Sequence, residues 1–96
     1  MRKIPKLLKG VLWSADISKL DLEKDKPYIV NQVLSYGTLA DIGWLLAEYG
    51  PKATREVFLK YPHKVYTKAG FAFTKNAVLD LRGADIGEDR YVQAFY

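Results

Sequence analysis

Apolar and polar positions along this chain alternate with a helical period over several short stretches. Between about residues 25 and 36, Ile29, Val30, Val33, Leu34 and Tyr36 fall on one side. Asn31, Gln32 and Ser35 fall on the other, which predicts an amphipathic helix. Asp25 is its expected N-cap. Pro27 suits the first turn, where its missing N–H has no helical partner to lose, and Gly37 ends the run in the usual role of a C-terminal glycine.

A second helix is predicted over residues 39–49, with Thr38 as N-cap and Asp41 in its first turn. Leu39, Ile42, Leu45, Leu46, Ala47 and Tyr49 sweep a wide arc that Trp44 extends. So broad an apolar surface predicts a helix central in the fold. Gly50 ends it, and Pro51 opens a third helix over residues 51–60. There Ala53, Thr54, Val57, Phe58 and Tyr61 share one face, and Lys52, Arg55, Glu56 and Lys60 share the opposite one. Pro62 prevents continuation.

The flanks are less regular. Residues 11–24 hold Ser and Asp residues, whose side chains compete for backbone hydrogen bonds. They read as an irregular lead-in that packs Trp13, Ile17 and Leu20 onto the domain. Residues 67–80 read as a fourth helix capped by Thr67, with Phe71, Ala72, Val78 and Leu79 inward and Phe73 directed elsewhere. Phe71-Ala72-Phe73-Thr74 also fits a strand. The closing Tyr91-Val92-Gln93-Ala94-Phe95-Tyr96 is apolar for a chain end, so it docks on the core or on something else. The pattern therefore predicts an all-α fold: a compact bundle of three to four short helices behind an irregular lead-in. Trp13, Ile29, Val33, Ile42, Leu45, Leu46, Val57 and Phe58 are its expected core.

Composition narrows the chemistry. With 96 residues, 49% of them apolar and 27% charged, the chain holds one small globular domain, 1–96, with a basic arm at 1–10 and the apolar tail at 84–96. It has no Cys and a single His, which removes disulfide scaffolds, Cys-based zinc sites, thiol nucleophiles and multi-His metal centres. No run is apolar enough to span a membrane, and the basic start lacks a signal peptide's apolar stretch. Cytoplasm is the expected compartment. The net charge of +4 is uneven: residues 1–10 carry four bases and no acid, and residues 51–70 carry five bases and one acid.

Candidate sites are few. Asp21, Glu23 and Asp25 alternate as in a calcium loop, but Lys26 and Gln32 stand where that loop needs Gly and Glu. The three acids, with Asp16, are read as turn formers and helix-start residues. His63 has no carboxylate or nucleophile nearby in sequence. The chain carries no phosphate-binding glycine loop, and no catalytic residue, cofactor or metal ligand is expected. The helix pair joined at Gly50-Pro51 fits a helix-turn-helix, with Lys52, Arg55 and Lys60 as candidate nucleic-acid contacts. A plain helical hairpin with a solvated face fits the same residues. Trp13, Tyr91, Phe95 and Tyr96, aromatic and near the two chain ends, are candidate partner-binding residues or core staples.

Three stretches together resemble a known family: residues 12–26 (Leu12-Trp13-Ser14-Ala15-Asp16 through Lys26), residues 29–38 (Ile29-Val30-Asn31-Gln32-Val33 through Thr38) and Trp44-Leu45-Leu46-Ala47-Glu48-Tyr49-Gly50. The family is one of small, largely uncharacterised prokaryotic proteins, and the resemblance covers about residues 11–60. Its members are often encoded beside nucleotidyltransferase-type toxins of the abortive-infection kind. The resemblance implies an antitoxin-like or accessory role and carries over no catalytic residue. Two functional expectations follow: a non-enzymatic protein-interaction module whose partner is a neighbouring toxin, or a small autoregulatory helix-turn-helix protein that binds DNA.

Overall fold

The computed structural model describes Ile4, Leu8, residues 10–12 and residues 16–93. Trp13, Phe95 and Tyr96 lie outside the described residues. Four α-helices follow in order: α1 at Lys26–Tyr36, α2 at Leu39–Tyr49, α3 at Pro51–Lys60 and α4 at Lys68–Phe73. A 3₁₀ turn at Ile17–Lys19 precedes them and another at Glu88–Arg90 follows. Between these lies a π-helical turn, Thr74–Val78, that continues α4. The fold is an all-α bundle. Among the described residues the strand reading of Phe71–Thr74 does not occur, and extended pairing is limited to one parallel bridge, Tyr66 to Val92. No helix of the described residues is long and apolar enough to cross a membrane.

The ends of the helices follow the chemistry of their residues. At α2 a full capping box forms: Thr38 Oγ1 accepts the Asp41 N–H at 3.2 Å, and Asp41 Oδ2 accepts the Thr38 N–H at 2.9 Å. Thr67 caps α4 by accepting the Gly70 N–H at 3.0 Å. Asp25 departs from its expected role. Its carboxylate makes no cap for α1 and instead accepts the Asp21 N–H at 2.9 Å. Asp21 accepts from Glu23 and Lys24 at 2.8 Å each, so the acids close the turn ahead of the helix.

Gly37 also ends α1 differently from expectation. Its φ of −75° is open to any residue. The constraint is space, because a Cβ there would stand 2.5 Å from the Val33 carbonyl oxygen. Gly50, with φ +87°, does use glycine's backbone freedom, and it lets α3 begin directly where α2 stops.

The central helix is α1. Ile29, Val30, Asn31, Gln32, Val33 and Leu34 are buried in succession, so the side expected to be wet is inside as well. Helix α2, expected at the centre, buries only Ile42 and Leu45 fully. Leu46 and Trp44 are half-buried against the core, and Leu39 is 73% exposed. The reason is position. Both α2 and α3 pack on α1, and α1 also meets the segments that follow α3. Burying an aliphatic side chain fully contributes about 1.5–3 kcal/mol, so α1 is the main apolar anchor of the bundle.

Polar groups in this interior are paired. Asn31 Nδ2 donates to the carbonyls of Pro27 at 2.9 Å and Tyr61 at 3.0 Å, and its Oδ1 accepts the Tyr66 hydroxyl at 2.9 Å. Ser35 Oγ donates to the Val65 carbonyl at 2.7 Å. Among the described residues no buried side-chain nitrogen or oxygen lacks a hydrogen bond.

The chain after α3 closes the core with aromatic rings. Tyr66, Phe71 and Tyr91 gather around Phe58, with Tyr91 stacked on Phe58 at 4.6 Å and 5.0 Å from Phe71. Leu8, Leu12, Leu22, Leu79 and Val92 join the same core. In α4 Phe71 points inward and Phe73 outward as expected, but Ala72 is exposed. Thr74, which opens the π turn, is buried with its hydroxyl toward the Leu34 carbonyl, and Leu79, just after the turn, is buried as well.

Candidate interaction surface

Helix α3 divides sharply. Thr54, Val57 and Phe58 are buried, and Thr54 Oγ1 donates to the Gly50 carbonyl at 2.8 Å. Lys52, Glu56, Leu59 and Lys60 are exposed, and Arg55 is half-buried. Lys52, Arg55 and Lys60 form no ion pair with any described residue. The structure thus brings the three expected cations onto one outward surface, as their spacing implied. It also places Leu59, 44% exposed, on that surface. Leu59 follows Lys52 by seven residues, so the helical period already put it on the cationic side.

Tyr61 corrects the sequence reading. Helical spacing puts it on the inward face of α3, yet it is 49% exposed. Its backbone, at φ −128° and ψ 69°, has left the helix, so helical phase no longer governs where its ring points. Its carbonyl is pinned by Asn31, which holds the segment in place.

A groove of about 370 Å³ runs between the start of α1 and the end of α3. Glu23, Lys24, Lys26 and Pro27 form one side; Glu56, Val57, Lys60 and Tyr61 form the other. Lys26 is engaged there, 3.4 Å from Glu23 and 5.6 Å above the Tyr49 ring. Periodicity alone could not find this groove, because its two sides lie some thirty residues apart.

The aromatic candidates fare differently. Tyr91 is 1% exposed and donates its hydroxyl to the Phe58 carbonyl at 2.7 Å. It is a core staple, not a contact surface, because residues 91–93 turn back onto the bundle. Tyr66 N–H to Tyr91 O at 2.9 Å and Gln93 N–H to Tyr66 O at 3.0 Å fix that return. Trp13, Phe95 and Tyr96 lie outside the described residues.

Burial shifts three titratable groups toward their neutral forms. Burial holds the Tyr66 hydroxyl well above its ordinary pKa, and the Tyr91 hydroxyl nearby adds to the shift. Burial raises Tyr91 as well, with Arg90 opposing. Burial lowers His63, whose ring makes no hydrogen bond or ion pair with a described residue. Among the described residues no group of three or more His, Asp and Glu side chains is gathered to hold a metal.

One family's sequence model matches residues 7–58. That is more than half of the chain. The chain belongs to DUF6922, a family of unknown function. No curated protein and no solved structure matches it. The DUF6922 region takes in Leu8, Leu12, α1, α2 and most of α3, ending at Phe58. The three rings that cover Phe58, and Lys60 and Tyr61 of the groove, lie beyond it.

Proposed function

We propose that this DUF6922 protein is a non-enzymatic protein-interaction module, antitoxin-like, whose partner is a nucleotidyltransferase-type toxin encoded beside it. The observation that supports the reading most is the outward surface of α3. It combines Lys52, Arg55 and Lys60, none in an ion pair with a described residue, with an exposed Leu59. Cations alone suit any anionic partner, but an exposed leucine among them gains only from an apolar counterpart. The resemblance to small proteins encoded beside abortive-infection toxins supplies the partner.

Co-purification of the tagged protein with the neighbouring gene product, and relief of that product's toxicity on co-expression, test the reading. Capture and rescue are expected from the native sequence. Both are expected to weaken with Lys52→Glu combined with Arg55→Glu. Absence of both capture and rescue overturns the proposal.

A second reading, a helix-turn-helix that binds its own promoter, is favoured by the abrupt α2–Gly50–α3 junction with cations on the following helix. Affinity for promoter DNA would then fall steeply with salt, and Lys52→Ala and Arg55→Ala would each flatten that slope by about one unit. Promoter binding absent at low salt, or indifferent to both changes, removes this reading.

A further inference from the structure

We infer that the groove between α1 and α3 takes a short acidic, aliphatic peptide segment of a partner protein. This deepens the interaction-module reading and rests on it. The groove has an apolar lining in Pro27, the edge of the buried Val57 and the half-exposed Tyr61. Lys26 and Glu23 largely neutralise each other across 3.4 Å. That leaves Lys24 on one rim and Lys60 on the other, neither in an ion pair with a described residue.

Charge complementarity sets the ligand's sign. With Lys26 and Glu23 offsetting each other, Lys24 and Lys60 outnumber Glu56. A peptide can meet this pattern by setting a carboxylate at each rim lysine and an apolar side chain between them. A nucleic-acid strand fits it poorly. Its phosphates recur at fixed intervals and meet Glu56, and its backbone offers nothing to the apolar lining. The walls are also pre-organised. Asn31 holds the Tyr61 carbonyl, and Pro27 sits in the first turn of α1, so little ordering is needed on binding.

The test is fluorescence anisotropy of a labelled twelve-residue probe that alternates Leu with Asp and Glu. A probe with Lys in place of the acids and a dT12 oligonucleotide serve as controls. The acidic probe is expected to bind about tenfold or more tighter than either control, and to weaken as salt rises. Lys24→Gln with Lys60→Gln is expected to cost about tenfold, and Tyr61→Ala a similar factor, with circular dichroism unchanged because all three side chains are at the surface. Equal binding of the acidic and basic probes, preference for dT12, or indifference to these variants overturns the inference. A probe that binds while the neighbouring toxin does not would discard that toxin and keep the groove. Toxin capture that survives Lys24→Gln with Lys60→Gln would keep the module and discard the groove.

Discussion

Removing one hydroxyl, by Tyr91→Phe, isolates a hydrogen bond that the sequence makes necessary. In a helix the carbonyl of Phe58 would accept from the N–H four residues on, but residue 62 is proline and has none. Phe58 is buried, and Tyr91 fills the vacancy by donating its hydroxyl to that carbonyl at 2.7 Å. The substitution keeps the ring stacked at 4.6 Å on Phe58 and leaves the carbonyl without this donor. Leaving a buried acceptor unsatisfied costs about 1–3 kcal/mol. For a chain of this length that corresponds to a fall in Tm of about 5–15 °C. Urea unfolding followed by circular dichroism gives the free energy directly, and an unchanged m value shows that the same surface is still exposed on unfolding. Tyr61→Phe is the control, since that ring is half in water, and it is expected to stay within about 0.5 kcal/mol of the native chain. A Tyr91→Phe effect no larger than the control would refute the argument that Pro62 obliges Tyr91.

Two glycines predict opposite outcomes for the same change. Gly43→Ala, mid-helix in α2 with nothing within 4 Å of the added carbon, is expected to stabilise by up to about 1 kcal/mol in urea unfolding. Gly37→Ala, where the added carbon would meet the Val33 carbonyl, is expected to destabilise by about 1–3 kcal/mol in the same assay. Thr38→Ala, which removes half of the capping box, is expected to cost about 1 kcal/mol. Alkaline stability follows from the buried tyrosines. Their folded pKa values lie above the ordinary 10.0, so their contribution is complete below pH 10 and is lost as pH rises through the folded values. Ultraviolet titration should therefore show these two of the seven tyrosines ionising late and together with unfolding, and Tyr66→Phe should lessen the alkaline loss.

Much of the local architecture was readable along the chain. Thr38 with Asp41, Pro51 after Gly50 and Pro62 after Tyr61 each act through bonds to near neighbours, so their meaning is contained in a few consecutive residues. The same holds for the cationic surface of α3, whose members are neighbours by helical period. Helices α1 to α3 and the outward Lys52, Arg55 and Lys60 followed from those short-range rules, whereas residues 67–80 fitted helix or strand until the structure placed α4 there.

Position within the bundle did not. Asn31 and Gln32 carry polar side chains, yet α1 is surrounded and both are buried. Asn31 is accommodated because Pro27, Tyr61 and Tyr66 complete its hydrogen bonds, and two of these partners lie thirty or more residues away. Helix α2, richer in apolar residues, is peripheral because hydropathy ranks side chains but does not say how many neighbours a helix acquires. Tyr91 became a core residue for the same reason. Its ring is equally suited to a partner or to Phe58, and the return of the chain at Tyr66 settles which one it meets. The groove, too, exists only when the start of α1 lies against the end of α3. Short-range chemistry wrote the helices and their ends into the order of residues. Long-range packing chose which faces are inside, because burial depends on what the rest of the chain brings alongside.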